Sequence, residues 1–172
     1  MKNAVIDHGD YLELDTFQKV SFFIDKTCYD KIKDYKWYAY KKRHNGNYYI
    51  CSDKMVNKTK IRYSLHRFLM DCVKEDNLIV DHINGNTLDN RLSNLRIATR
   101  NENQRNCRTQ HNCASGRKGV RKHKLCDKWQ ARITVNNKEI YLGLFDTFEE
   151  ACEARNQAEN LYFGEFKSYE YR

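Results

Sequence analysis

The chain has 172 residues, of which 40% are hydrophobic and 31% charged, a composition typical of a folded protein. It contains no run of eighteen apolar residues, which excludes a transmembrane helix, and its N-terminus lacks a secretory signal pattern. We therefore expect a cytoplasmic protein that binds no membrane. The seven cysteines are odd in number and include no CxxC pair, which excludes a disulfide scaffold and predicts no structural zinc.

The net charge of +8 is concentrated in one segment. Between Arg100 and Arg132 there are ten basic residues and two acidic ones, a difference equal to the whole excess of the chain. A localised positive charge favours a polyanionic partner, DNA or RNA, because phosphates attract clustered cations. The alternative is a solvated basic linker.

The first 60 residues combine short strands with one helix. Thr27 is placed to cap that helix. Two strands, Trp37–Lys42 and Tyr48–Asp53, flank a turn at 44–47 and predict a hairpin. The region serves either as a scaffold or as a further DNA-contacting sheet. The residues suited to that contact are Tyr38, Tyr40, Lys41, Lys42 and Arg43.

The next region, residues 61–108, contains a second predicted hairpin. An apolar strand, Leu78–Val80, runs directly into Asp81 and His82. A turn follows at Asn84–Asn86, and Leu95–Ala98 predicts the returning strand. The polar residues at the end of the first strand are either an ordinary hairpin corner or part of a functional site.

A helix is predicted immediately after this hairpin. Thr99 and Glu102 have the spacing of a capping box, and the helix that they begin carries Asn103 in its first turns. A strand end and a helix start can bring Asp81, His82 and Asn103 to one point. The carboxylate and amide oxygens suit a hard divalent cation, and the imidazole can accept a proton near neutral pH.

These residues resemble the HNH nuclease motif in the form found in phage and intron homing endonucleases. The resemblance spans about 63–106 and rests on spacing: Asp81-His82, then Asn94 twelve residues after the His, then Asn103 nine residues later. It implies a ββα-metal fold and double-stranded DNA as the substrate. The third motif position is Asn rather than His, a variant also seen in homing members.

The resemblance implies a role for each of these residues. His82 corresponds to the general base that activates water, and Asn94 to the residue that orients its imidazole. Asp81 and Asn103 correspond to ligands of one Mg²⁺ ion or another divalent cation such as Mn²⁺. By resemblance the products carry 5′-phosphate and 3′-hydroxyl ends. The pair His66-Arg67 matches a further recurrent position, which is either structural or a phosphate contact.

The last region, residues 117–166, follows a predicted linker at 109–116. Lys118–Lys124, Trp129–Val135 and Glu139–Phe145 predict three strands, with a turn at Asn136–Asn137 between the last two. Thr147 is placed to cap a helix through Glu150. The residues expected to form its buried face are Phe148, Ala151, Cys152, Arg155, Ala158, Leu161 and Tyr162, with Gly164 ending the helix.

This region resembles the Apetala-two/ethylene-response-factor DNA-binding domain over about 50 residues. The resemblance rests on Gly119–Arg121, Lys128–Trp129 and Leu142–Ala151. In that family a three-stranded sheet lies in the DNA major groove. Strand alternation separately turns Arg132 and Thr134 away from the face of Trp129, which we expect in the core. By position the family implies DNA contacts from Lys118, Arg121, His123, Arg132, Thr134 and Tyr141.

Together these features predict an α+β protein with an N-terminal mixed β/α region, a central ββα-metal HNH nuclease fold, and a C-terminal three-stranded antiparallel sheet plus helix. We expect a metal-dependent DNA endonuclease of a bacterial or phage-infected cell, targeted by a C-terminal sheet that reads sequence. No oligomeric state is predicted. The main alternative is a non-enzymatic DNA-binding transcriptional regulator with a relic nuclease fold, and a weaker one is an RNA-binding module.

Overall fold

The computed structural model describes residues 4–43, 46–72, 78–105 and 115–167. The chain is a mixed α+β protein built from several small antiparallel sheets and few helices, as the sequence predicts at that level. It divides into two compact units, Met1–Thr99 and Arg100–Arg172. Within the described residues, no helix is long and apolar enough to cross a membrane.

The described residues of the first unit form three small sheets and two short α-helices. In chain order the elements are β1 (Ala4–Asp7), β2 (Tyr11–Asp15), β3 (Ser21–Asp25), α1 (Tyr29–Ile32), β4 (Tyr38–Lys41), β5 (Tyr48–Val56), β6 (Thr59–Ser64), α2 (Leu65–Leu69), β7 (Ile79–His82) and β8 (Leu95–Ala98). Strands β1–β3 form one antiparallel meander, β4–β6 form a second, and β7 and β8 form a two-stranded hairpin.

One hydrophobic core joins the elements of this unit. Alternate residues of β2 and β3 are buried, as expected for strands with one covered face. The same core contains side chains from both sides of the division predicted at residue 60, so that division falls inside a single packed core. Its fully or nearly fully buried members include Leu14, Phe22, Ile24, Trp37, Ile50, Leu65, Val80 and Leu95.

The second unit contains a three-stranded sheet covered by one long helix. Its elements are α3 (Arg100–Arg105), β9 (Val120–Lys122), β10 (Trp129–Val135), β11 (Lys138–Phe145) and α4 (Phe148–Phe163), with β10 in the centre of the antiparallel sheet. The predicted strands, turn and helix are confirmed, although β9 is shorter than expected. Asn136 and Asn137 both adopt positive φ, which suits the tight turn between β10 and β11.

Helix α4 begins where its capping box predicts. The Thr147 hydroxyl accepts a hydrogen bond from the Glu150 backbone N–H at 3.2 Å, and the Glu150 carboxylate accepts one from the Thr147 N–H at 3.2 Å. These reciprocal bonds satisfy backbone donors that the first turn of a helix leaves unpaired. The predicted buried face is wrong at its C-terminal end, because Leu161 is 75% exposed and Tyr162 is 40% exposed.

A buried ionic cluster occupies part of the helix face instead. Glu159 accepts hydrogen bonds from Arg155 at 2.9 Å and from Arg117 at 3.1 Å, and all three residues are buried. Arg155 also donates to the backbone carbonyl of Arg132 in the sheet. The cluster therefore connects α4 to the sheet through polar contacts. Such contacts cannot be predicted from the spacing of hydrophobic residues.

Two further local predictions have different outcomes. The helix predicted after Thr27 begins at Tyr29 with Cys28 as its N-cap and follows a single 3₁₀ turn, so the Thr27 cap is wrong. The predicted hairpin of β4 and β5 is confirmed by its antiparallel register, from Tyr38 with Cys51 to Lys41 with Tyr48. Most of the predicted linker and part of the β4–β5 turn lie outside the described residues.

Candidate active site

The candidate site lies on the hairpin of β7 and β8 and on the loop that joins these strands. Antiparallel pairing places Asp81 opposite Arg96 and His82 opposite Leu95. The loop turns at Gly85, whose φ of +69° is accessible to glycine at little cost. The Gly85 N–H donates to the His82 carbonyl at 2.9 Å, so the loop folds back onto the end of β7.

Asn90 is the hydrogen-bond partner of the His82 ring. The His82 side chain is buried, and its Nε2 lies 3.3 Å from Asn90 Oδ1. The Asn90 amide nitrogen donates to the Leu88 carbonyl at 3.2 Å, which directs the amide oxygen toward the imidazole. An amide oxygen can only accept, so this contact favours the tautomer of His82 in which Nε2 carries the hydrogen.

The N-terminal strands hold Asn90 in place. The Asn90 backbone N–H donates to the Phe23 carbonyl at 2.8 Å, and the Phe23 N–H donates to the Leu88 carbonyl at 2.9 Å. Asp25 accepts a further bond from the Leu92 N–H at 2.6 Å. Strand β3 therefore pairs with the loop that carries the partner of His82.

Burial lowers the pKa of His82 below its ordinary value of 6.5, because a buried imidazole loses the hydration of its charged form. The Asn90 hydrogen bond and the carboxylates of Asp81 and Asp89 act in the opposite direction, and the nearby Lys42 charge lowers the pKa further. His82 is therefore neutral at pH 7 and able to accept a proton.

Asp81 is paired with Arg96 in the same hairpin. The Arg96 guanidinium donates from Nε at 3.0 Å and from Nη2 at 2.8 Å to one carboxylate oxygen of Asp81, and both side chains are largely buried. Their opposite positions in the strand register produce this contact. The pair fixes the carboxylate beside His82 and keeps its charge balanced in a poorly hydrated place.

Asn94 is buried and holds the two ends of the loop together. Its amide nitrogen donates to the Asp89 carbonyl at 2.8 Å, and its amide oxygen accepts from the Asn84 N–H at 2.9 Å. Sequence reasoning assigned Asn94 to orient the imidazole and missed Asn90. The signal for Asn90 was its place in the Asn-Arg-Leu-Ser-Asn run that contains Asn94.

The predicted metal ligands lie in different units of the chain. Asp81 belongs to the first unit, whereas Asn103 lies on α3 in the second. Among the described residues, no group of three or more His, Cys, Asp or Glu side chains is arranged to hold a metal ion. The predicted pair consists of one carboxylate and one amide oxygen, a donor set that suits a hard cation such as Mg²⁺, with water completing its coordination.

His66 packs directly beside His82. It lies on α2, with its ring centroid 5.2 Å from that of His82 and 5.8 Å from that of Tyr49. Burial and the neighbouring positive groups lower the pKa of His66 to about 3, so it is neutral over the physiological range. The next residue, Arg67, donates to the Leu78 carbonyl just before β7, which favours a structural role for this residue.

The six predicted DNA contacts of the second unit lie on or beside its sheet. Strand register places Arg121 opposite Gln130 and Arg132 opposite Tyr141, on the face away from the buried Ala131 and Ile133. The expected outward direction of Arg132 and Thr134 is thus confirmed. The exposed face also includes Tyr141, which is 57% exposed, while Lys118 is exposed before β9 and His123 is half-buried after it.

The hairpin therefore holds a buried, neutral imidazole next to a carboxylate that is paired with arginine. Comparison with known proteins identifies the family of the chain. The HNH endonuclease family matches residues 73–105. An uncharacterized HNH endonuclease of Acanthamoeba polyphaga mimivirus is 31% identical over 167 residues, covering 94% of this chain and 81% of that protein. The chain belongs to the HNH endonuclease family and is a nuclease.

Two other similarities are shorter. Protein 3.8 of Escherichia phage T7 is 38% identical over 60 residues, covering 35% of this chain and half of that protein. The AP2-like ethylene-responsive transcription factors AIL5 and PLT2 of Arabidopsis thaliana are each 51% identical over 43 residues, which covers 24% of this chain and 8% of each plant protein. No solved structure is significantly similar to the chain.

Proposed function

We propose that this nuclease hydrolyses phosphodiester bonds of double-stranded DNA with His82 as the general base. The observation that carries the proposal is the buried, neutral imidazole whose Nε2 is held by Asn90. With Nε2 bearing the hydrogen, Nδ1 takes the proton from the attacking water. Asn90 and Asn94 act as positioning residues, the first on the ring and the second on the loop that carries Asn90.

Asp81 and Asn103 are the proposed ligands of one divalent cation, Mg²⁺ or Mn²⁺, within a ββα-metal arrangement. Such an ion would neutralise charge that develops on the phosphate and on the leaving 3′-oxygen. The Arg96 guanidinium holds the Asp81 carboxylate beside the base through two hydrogen bonds to one oxygen. This contact restricts the orientation of the carboxylate that is proposed to bind the cation.

The sheet of the second unit is the proposed reader of DNA sequence. Its exposed face combines long cationic side chains with hydroxyl groups, which can reach base edges in the major groove. Arg121 donates a hydrogen bond to Gln130 at 2.8 Å, and Arg132 donates one to Glu139 at 2.6 Å. These bonds restrict the conformations of both arginine side chains before DNA binds. Similarity to the plant transcription factors supports this assignment. The predicted linker at 109–116 would connect the nuclease region to the DNA-reading sheet.

Plasmid cleavage tests the catalytic assignment. The purified chain should convert supercoiled plasmid to nicked or linear DNA with Mg²⁺ and not with a chelator. His82→Ala should abolish this conversion while DNA affinity stays within a few-fold, because the base acts in the chemical step. The matched control is His8→Ala, since His8 is a more exposed imidazole of the same unit, paired with Glu13. Cleavage by His82→Ala at the wild-type rate would exclude His82 as the base.

A further inference from the structure

The sheet of β4–β6 has two chemically different faces. On the inner face, Ala39 and Ile50 pack into the hydrophobic core. The antiparallel register places the next residues on the opposite, outer face. We name this outer face the tyrosine face after its aromatic residues, and it also contains Asp53 and the buried Cys51. The residues on which the proposal rests are Tyr38, Tyr40, Lys42, Tyr49, Lys60 and Arg62.

Basic side chains cover the aromatic rings of the tyrosine face. The Arg62 guanidinium lies 5.1 Å from the ring centroid of Tyr40 and 5.9 Å from that of Tyr38. Lys42 Nζ lies 4.0 Å from the ring centroid of Tyr49. These distances are those of cation–π contacts, which hold the cations over the sheet. Arg62 is exposed and Lys42 is half-buried.

The tyrosine face carries an excess of positive charge. Asp53 is the single acidic residue of β4, β5 and β6. It pairs with Lys60 at 2.9 Å and Arg62 at 3.0 Å. Desolvation raises the Asp53 pKa, but hydrogen bonds from Lys60, Arg62 and Tyr38 outweigh it and bring the pKa to about 2. The tyrosine face therefore has three cations, Lys42, Lys60 and Arg62, against one carboxylate, and it remains positive at neutral pH.

The tyrosine face leads directly to the catalytic histidine. Tyr49, which carries Lys42 above its ring, packs edge-on against His82 with 6.4 Å between ring centroids. Lys42 and the two imidazoles of His66 and His82 therefore contact the same Tyr49 ring. A polyanion lying along the face would therefore reach the base.

We propose that the tyrosine face binds the DNA backbone next to the phosphodiester that is cleaved, with Lys42, Lys60 and Arg62 contacting phosphates. The proposal rests on the proposed function, because it uses His82 to mark the cleavage point. Cations contact phosphate oxygens without reading sequence, and tyrosine hydroxyls can add hydrogen bonds to the backbone. The N-terminal region thus serves as a scaffold through its inner face and as a DNA contact through its outer face.

Lysine labelling tests the proposal on the unmutated full-length chain. The amines are acetylated with and without a random-sequence duplex, in a chelator so that no cleavage occurs, and quantified by mass spectrometry. DNA should protect Lys42 and Lys60. Lys54 is the matched control, because it lies in β5 with its side chain on the opposite side of the sheet, over Tyr35. Equal labelling of Lys42 and Lys60 with and without DNA would overturn the proposal.

Variants provide a second measure. Lys42→Gln and Arg62→Gln should each reduce the slope of log affinity against log salt by about 0.9, the value for one lost phosphate contact on duplex DNA. Lys54→Gln should leave the slope unchanged. An unchanged slope in the double variant would contradict the proposal. Since binding is measured without metal, loss of this surface is distinguishable from failure of the nuclease assignment, which plasmid cleavage tests separately.

Discussion

His66 should make the first unit sensitive to mild acid. In the folded chain its pKa is about 3, whereas an ordinary histidine has a pKa of 6.5. The unfolded state therefore binds a proton below about pH 6.5 that the folded state does not, and the stability falls as the pH falls through that range. Replacing His66 with Phe keeps an aromatic ring beside Tyr49 and removes the titrating group.

The expected magnitude follows from this difference in pKa. For each unit of pH below the pKa of the unfolded state, the free energy of unfolding falls by about 1.4 kcal/mol, as long as the folded imidazole stays neutral. At pH 5, where the folded His66 is still neutral, the cost relative to neutral pH is about 2 kcal/mol. His82 is present in both proteins, so its own contribution largely cancels in the comparison.

Urea unfolding at pH 7 and pH 5 measures this difference. In a Trp129→Phe background, Trp37 is the remaining tryptophan and lies in the core of the first unit, so its fluorescence reports on that unit. The chain with His66 should lose about 2 kcal/mol more between the two pH values than the His66→Phe variant. His8→Phe, which alters a more exposed imidazole, should behave like the parent chain. Equal losses with and without His66 would refute the reasoning.

Three further predictions concern the hairpin and the sheet. Arg96→Met leaves the Asp81 carboxylate buried without its partner and should cost the first unit about 3–5 kcal/mol in urea unfolding; a loss below about 1 kcal/mol would contradict this reading. Gly119→Ala should destabilise the second unit more than Gly116→Ala in thermal unfolding, because both have positive φ but only at Gly119 would a Cβ overlap the Arg132 carbonyl oxygen. Arg132→Ala should cost about 1–3 kcal/mol on a duplex selected from a random pool and less on unselected DNA; equal losses on both would exclude a base contact.

Elements with local signals were predictable from the sequence. Strand β10 alternates apolar and polar residues, and Thr147 begins α4 through a capping box whose bonds join residues three positions apart. The β7–β8 hairpin was predictable for the same reason, because an apolar run and a turn define it. The chemistry proposed for Asp81 and His82 rests on the resemblance of these residues and Asn94 to the HNH motif, and it stays a prediction.

Contacts between distant residues were not predictable in the same way. Asn90 lies beside His82 because its loop pairs with β3. The pairing uses Phe23, which precedes Asn90 by 67 residues in the sequence. Tyr49 packs on the same imidazole from another sheet. The exposed end of α4 was misjudged because Glu159, a charged residue, is buried there with arginine partners. Hydrophobic periodicity predicts burial from residue type alone. Hydrogen bonds between distant residues can bury a charged side chain, as they do for Glu159.

The N-terminal strands hold the candidate site in place and are not a separate module attached to it. Backbone bonds from Phe23 fix the segment that carries Asn90, and the Asp25 carboxylate caps the Leu92 N–H on the same loop. Backbone hydrogen bonds between a strand and a loop restrict the movement of the loop, and a general base at His82, as proposed, needs such positioning. The proposed tautomer of His82 therefore depends on β3, because hydrogen bonds from β3 hold the loop that carries Asn90. Disruption of β3 should for this reason lower the activity proposed for His82.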